Sequence, residues 1–217
     1  MQSGDLFNLA PPVGARTPLG PQAAVFHGFA LSRVRGLLEG IDAVARASPF
    51  RFLTTPGGHV MSVAMTGCGR FGWVSEPTGY RYAERSPETG ARWPPIPPAF
   101  QELAAAAAAA AGFPDFAPDA CLVNRYLPGS RLTLHQDRHE RDAWAPIVSV
   151  SLGLRATFLF GGLERADRPR RVALHHGDVV VWGGVDRLRY HGVMPLERAT
   201  HPVLGEQRLN LTFRKVL

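Results

Sequence analysis

The C-terminal half of the chain is cut into short pieces. Eight β-branched or alternating runs follow one another at 121–127, 131–135, 147–152, 156–160, 171–175, 178–182, 188–193 and 208–213. Pro128-Gly129, Gly161-Gly162, Gly177 and Gly183-Gly184 break them. Segments this short, with turn residues between them, cannot make long helices. They specify strands that cover each other in two sheets, so the reading is a β-sandwich or jelly roll over 119–217.

The N-terminal half reads differently. Residues 1–22 are rich in Pro, Gly and Ala and are expected to form a flexible arm. Val34, Leu37, Leu38, Ile41, Val44 and Ala45 fall at helical spacing, with Ser32 as the expected N-cap and Pro49 as the stop. Between 51 and 93 short strand-like pieces carry Trp73, Tyr80, Tyr82 and Trp93. Four prolines between Trp93 and Pro98 make an extended connector. A second helix is expected over 104–111, ended by Gly112. The expected class is α+β: helices and an aromatic segment over 23–118, packed on a jelly-roll core in a single catalytic domain.

Charge narrows the partners. The 24 basic and 18 acidic residues leave a net charge of +6 in 217 residues, which favours polyanions, nucleic acid above all. Lys215 is the only lysine, so the arginine excess is either a phosphate-binding device or a compositional habit of the genome. Cys68 and Cys121 form no CxxC pair, and no apolar run reaches the ~18 residues a membrane span needs. The start has no charged segment followed by an apolar one, so no secretory leader is expected. A reducing cytoplasm is the expected compartment, with no membrane association.

The chemistry is concentrated in two places. On a strand over 131–137, His135 and Asp137 would project from one face, because side chains alternate. An imidazole and a carboxylate so placed can share a metal. His191 is the best third ligand, and His139, His175 and His176 compete for the place. Two His and one carboxylate on one side of a metal leave positions open for substrate and oxygen, as in non-haem Fe(II) oxygenases. The bland alternative is a set of surface or satisfied histidines. Near the C-terminus, Arg208, Asn210, Thr212 and Arg214 share one face of a strand whose other face is Leu209, Leu211 and Phe213. Turned inward, that row needs an anion, and a dicarboxylate would use both arginines. Turned outward, it is an ordinary wet edge.

Several separated segments together carry a resemblance. Residues 118–126, Leu134-His135-Gln136-Asp137, residues 146–153, residues 177–184, Tyr190-His191-Gly192 and Arg208-Leu209-Asn210-Leu211-Thr212-Phe213-Arg214 occur in the order found in the AlkB family. These are Fe(II)- and 2-oxoglutarate-dependent nucleic-acid dealkylases, and the resemblance runs from about Phe26 to Arg214. It implies a double-stranded β-helix core, Fe(II), 2-oxoglutarate and O2 as co-substrate. His135, Asp137 and His191 match the iron ligands. Arg208 matches the arginine for the distal carboxylate of 2-oxoglutarate, helped by Asn124 and Tyr126. Asn210 and Arg214 match residues near the other carboxylate.

The aromatic segment resembles the family's nucleotide-recognition lid. Trp73 matches a residue that stacks on the flipped base opposite His135. Tyr80 and Arg165 match residues that hold the strand or base, and Met65 and Thr55 line the same region. Arg70, Arg81 and Arg85 beside these aromatics suit single-stranded nucleic acid. The plain alternative is a loop whose aromatics pack on the core. One position departs from the pattern: bacterial members carry an acidic residue two beyond the metal aspartate, where this chain has His139, which puts base preference in doubt. The expected function is oxidative dealkylation of N-alkylated bases such as 1-methyladenine and 3-methylcytosine. The substrate would be single- or double-stranded DNA or RNA, and the protein a monomer without an obligate protein partner. Two competing readings are an oxygenase of the same fold acting on a protein or small molecule, and a non-enzymatic nucleic-acid-binding barrel.

Overall fold

The computed structural model describes residues 10–217. In chain order the elements are β1 (Arg16–Gly20), β2 (Ala23–Phe26), α1 (Val34–Ala47), β3 (Arg51–Thr54), β4 (Val60–Gly69), β5 (Gly72–Glu76), β6 (Gly79–Ala83), α2 (Pro98–Ala110), β7 (Ala120–Tyr126), β8 (Leu132–His135), β9 (Ile147–Gly153), β10 (Ala156–Phe160), β11 (Arg170–Leu174), β12 (Val179–Trp182), β13 (His191–Val193) and β14 (Arg208–Arg214). An eight-stranded sheet runs β1-β2-β12-β9-β14-β7-β4-β3 and faces a four-stranded sheet β11-β10-β13-β8. The hairpin β5-β6 stands apart as a two-stranded unit. This is the expected jelly-roll architecture.

Side-chain alternation decides which residues reach the site. On β14, Leu209, Leu211 and Phe213 join Val123, Val148, Val150, Val179 and Val181 beneath the two helices. There they meet Leu37, Ile41 and Val44 of α1 and Phe100, Leu103 and Ala107 of α2. Each large side chain buried here contributes about 1.5–3 kcal/mol relative to exposure. Gly40 lets the helices close up, since a Cβ at that position would lie 2.6 Å from the Phe100 ring. The helices thus cover one face of the large sheet. The other face must turn its polar row, Arg208, Asn210, Thr212 and Arg214, toward the small sheet. Strict alternation with one face greased by the helices is what sends these polar groups inward.

Four local expectations change. Residues 16–20, expected within a flexible arm, form β1 and pair with β2 at the edge of the large sheet; the rest of that arm up to residue 9 lies outside the described residues. Ser32 does not cap α1: a short 3-10 turn over Leu31–Arg33 precedes the helix, and Arg33 holds the cap position with no side-chain bond. Residues 188–190 are not strand, because a tight 3-10 turn at Gly184–Asp186 delays β13 to His191. The strand expected over 131–137 ends at His135, leaving Asp137 in the following loop. Gly112 adopts φ +93° just past α2, the left-handed conformation that ends a helix cheaply with glycine.

Candidate metal centre and substrate cleft

His135 ends β8 and His191 opens β13, and the two are direct partners in the antiparallel ladder. Their ring centroids are 4.4 Å apart. His135 Nδ1 lies 2.8 Å from the Thr133 carbonyl, and His191 Nδ1 lies 3.0 Å from the Arg189 carbonyl. A carbonyl can only accept, so each Nδ1 carries its proton and each Nε2 presents a lone pair. Asp137 supplies the third donor, with Oδ1 3.8 Å from His135 Nε2 and Oδ2 3.8 Å from His191 Nε2. One donor atom from each of the three residues falls within 4.8 Å of the others. Among the described residues this is the one such cluster of three. His175, His176 and His139 stay out: His175 sits in the turn held by Asp178, His176 packs against His201, and His139 stands edge-on to Tyr80.

Asp137 owes its position to two guanidiniums rather than to strand parity. Arg214 donates from Nε to Asp137 Oδ2 at 2.8 Å, with Nη2 2.6 Å from the same oxygen. Arg187 Nη1 donates to the Asp137 main-chain carbonyl at 2.7 Å. Burial alone would raise the Asp137 carboxyl, but Arg214, His191, His135 and Arg187 hold it far below the usual carboxylate range. Burial, reinforced by His135, pushes His191 down to about 3. At neutral pH the cluster is therefore one carboxylate and an imidazole with its lone pair free, which is what a divalent cation requires.

Behind the cluster, Arg208 is fully buried over the face of Tyr126, with its guanidinium carbon 4.8 Å from the ring centre. Only Nη2 is engaged, donating to Ser151 Oγ at 2.8 Å. Nε and Nη1 have no partner among the described residues, and neither does Asn124 Oδ1. An unpaired buried cation is expensive, so this arginine is built for an anion. Asn210 donates to Ser149 Oγ and the Val150 carbonyl, and Thr212 donates to Asn210 Oδ1. A cavity of about 850 Å³ joins Arg208, Asn124, Tyr126, Asn210 and Arg214 to the His135, Asp137 and His191 cluster.

Residues 22–214 match the 2OG-Fe(II) oxygenase superfamily. The alpha-ketoglutarate-dependent dioxygenase AlkB of Escherichia coli K12 is 53% identical over 211 residues, 97% of each chain. This chain belongs to the AlkB family. Its relatives include the AlkB of Salmonella typhimurium LT2, 54% identical over 91% of this chain and 92% of that one. The AlkB homolog of Caulobacter vibrioides NA1000 is 45% identical over 85% and 83% of the two chains. The solved structure of OsALKBH1 superposes with a TM-score of 0.82 at 30% identity, covering 93% of this chain and all of that one. As an AlkB-family 2OG-Fe(II) oxygenase, the protein is an alpha-ketoglutarate-dependent dioxygenase using Fe(II), 2-oxoglutarate and O2. The residues fit those cofactors: two imidazoles and a carboxylate make an Fe(II) donor set, and the orphaned Arg208 nitrogens suit a buried carboxylate.

The remaining expected AlkB-type contacts line the same cavity. Thr55, Met65, Trp73, Tyr80, His139 and Arg165 all border it. Trp73 and Tyr80 stack on each other at 4.9 Å and 17° across the β5–β6 hairpin, and Arg165 lies 6.0 Å from the Tyr190 ring centre. The surrounding arginines are less available than their sequence suggests. Arg70 pairs with Glu84, Arg81 with Glu76, and Arg85 donates to the Gly90 carbonyl. Two residues of the site escaped sequence reasoning, Arg187 and Glu140. An arginine in a loop and a glutamate in a charged tetrapeptide give no periodic signal, and only the folded chain shows both buried against each other.

Proposed function

We propose that this protein removes alkyl groups from N-alkylated nucleic-acid bases, 1-methyladenine and 3-methylcytosine among them, by oxidation. Fe(II), 2-oxoglutarate and O2 together supply a hydroxylation of the alkyl carbon, which leaves as an aldehyde while 2-oxoglutarate becomes succinate and CO2. The chain's own work is to hold and to aim. His135, Asp137 and His191 would hold the metal through Nε2, a carboxylate oxygen and Nε2. Arg208 would hold the distal carboxylate of 2-oxoglutarate beside Asn124 and Tyr126. Asn210 and Arg214 would stand near the other carboxylate, with Arg214 also keeping Asp137 deprotonated. The nucleotide must leave the base stack to enter the cavity, and a lesion on a pairing nitrogen lowers that cost. Trp73 would stack on the base, with Tyr80, Met65, Thr55, His139 and Arg165 around it; a cationic lesion strengthens that stacking.

The observation that carries this reading is the buried Arg208 with two unpartnered nitrogens on the same cavity as the His135, Asp137 and His191 donors. That pairing favours an oxygenase over a binding barrel with a structural His/Asp cluster, and the stacked Trp73 and Tyr80 on the same cavity, with the AlkB relatives, support a nucleic-acid base as its substrate. We place the activity on DNA, with RNA as a second substrate, in the cytoplasm and in a monomer. No described helix is long and apolar enough to cross a membrane. Residues 23–118, which hold the helices and lid and also lend β2, β3 and β4 to the large sheet rather than only packing on it, and 119–217, the rest of the jelly-roll core, would act as one catalytic unit. Mass spectrometry of oligonucleotides carrying 1-methyladenine, 3-methylcytosine or an etheno adduct, incubated with iron and 2-oxoglutarate, tests it. Wild type and His139→Asp both dealkylate, with different base preference. Every lesion left intact by protein that binds metal and 2-oxoglutarate would overturn the proposal.

A further inference from the structure

We propose that Glu140 is a positioning residue that couples docking of the β5–β6 hairpin to the setting of Asp137. The inference rests on Asp137 being a metal ligand. The Glu140 side chain is only 2% exposed, as is that of Arg187. Three groups converge on its carboxylate. Arg187 Nη2 donates to Oε2 at 3.0 Å, Tyr82 donates its hydroxyl to Oε1 at 2.6 Å, and Arg214 Nε lies 3.5 Å from Oε1. The two guanidiniums are the same two that fix Asp137, Arg214 at its carboxylate and Arg187 at its main-chain carbonyl. The third donor comes from the hairpin. Among the described residues, Glu140 is thus the group that touches both clamps on Asp137 and the lid.

The hairpin end is also specific. Tyr82 is the cross-strand partner of Trp73, and Tyr80 lies two residues away on the same strand. The three rings therefore share one face, so a movement that withdraws Tyr82 from Glu140 also moves the rings over the cavity. Tyr82 packs beside Phe71, Ala120 and Val216, and burial pushes its phenol well above the ordinary range, so it stays a donor. When the hairpin lifts, Glu140 loses one of three donors in a low-dielectric site. Its unsatisfied oxygen then competes with Asp137 for Arg214 Nε, which already lies within reach of both. Asp137 loses part of its clamp when the lid is away and regains it on docking. Linkage makes the effect reciprocal: metal at Asp137 must favour the docked hairpin by the same factor that docking favours the metal.

Mn(II) serves as a redox-silent probe and needs no nucleic acid. Hydrogen exchange over 72–83 and calorimetric Mn(II) affinity are measured on wild type, Tyr82→Phe, Glu140→Gln and the double variant. Tyr82→Phe removes a single hydroxyl, so it reports even where Glu140→Gln disturbs folding. In wild type, Mn(II) slows exchange across the hairpin. In Tyr82→Phe that slowing is lost and Mn(II) binds measurably more weakly, by less than the roughly tenfold expected on losing a direct partner of a ligand. The double variant is no weaker than Glu140→Gln alone. Hairpin exchange indifferent to Mn(II) in wild type, wild-type Mn(II) affinity in Tyr82→Phe, or simple additivity in the double variant would each overturn the coupling. Wild-type dealkylation, assayed in parallel, separates failure of this inference from failure of the proposed activity.

Discussion

His135 and His191 face each other as a directly opposed pair in the β8–β13 ladder, each with Nδ1 tied to the carbonyl two residues before it. Backbone carbonyls, Thr133 within β8 and Arg189 in the loop before β13, therefore fix both imidazole tautomers. The site needs no outside residue to aim its two nitrogens, and only Asp137 depends on side chains elsewhere.

Arg208 sets up an opposition between stability and binding. Replacing it by Met removes an unpaired buried cation and keeps much of its volume, a change of the kind that is often neutral or stabilising. The metal-free Arg208→Met protein melts at or above the wild-type temperature. Wild type gains thermal stability on adding 2-oxoglutarate with Mn(II), and the variant loses that gain. Differential scanning fluorimetry with and without 2-oxoglutarate reads both effects.

Trp73→Ala should weaken the nucleic acid and spare the cofactor. Loss of one aromatic plane costs about 1–3 kcal/mol per stacked base, or roughly tenfold or more in affinity. Fluorescence anisotropy with a methylated oligonucleotide shows that loss. Affinity for 2-oxoglutarate stays within about twofold of wild type, since Trp73 belongs to the hairpin rather than to the sheet that carries Arg208.

Acid weakens the metal-free fold. His191 is held at about 3 against an ordinary 6.5, and burial also lowers His175 and His176. Below pH 6.5 the unfolded chain takes up protons that the folded chain refuses. The stabilising contribution is thus present above pH 6.5 and is lost as pH falls toward 3. Urea midpoints of metal-free protein should fall steadily from about pH 7.5 to pH 5, and a flat profile would show that these histidines are not buried as described.

The sequence made the strands legible because β-branched runs and glycine breaks are local signals; all eight C-terminal strands lie where the pattern puts them, within a few residues at each end. The inward row on β14 was legible for the same reason, once Leu209, Leu211 and Phe213 are given to the core. The edge strand β1 was not, because Pro18 and the flanking glycines mask a pairing that only its neighbour β2 enforces. The placement of Asp137 was legible in outcome and not in cause. Alternation would put it on the face of His135, yet the strand has ended, and Arg214 and Arg187 bring the carboxylate back. Contacts between residues more than 40 positions apart leave no mark in a local pattern, and Glu140, which meets Arg187, Tyr82 and Arg214, was hidden for that reason.

The central claim is one metal held by His135, Asp137 and His191 beside an Arg208 that receives 2-oxoglutarate. Calorimetric titration of Mn(II) into metal-free protein in the presence of 2-oxoglutarate tests it most directly. The account predicts one ion bound per chain, with binding abolished in His191→Ala and in Asp137→Ala. An ion still bound at full stoichiometry after both substitutions would contradict it.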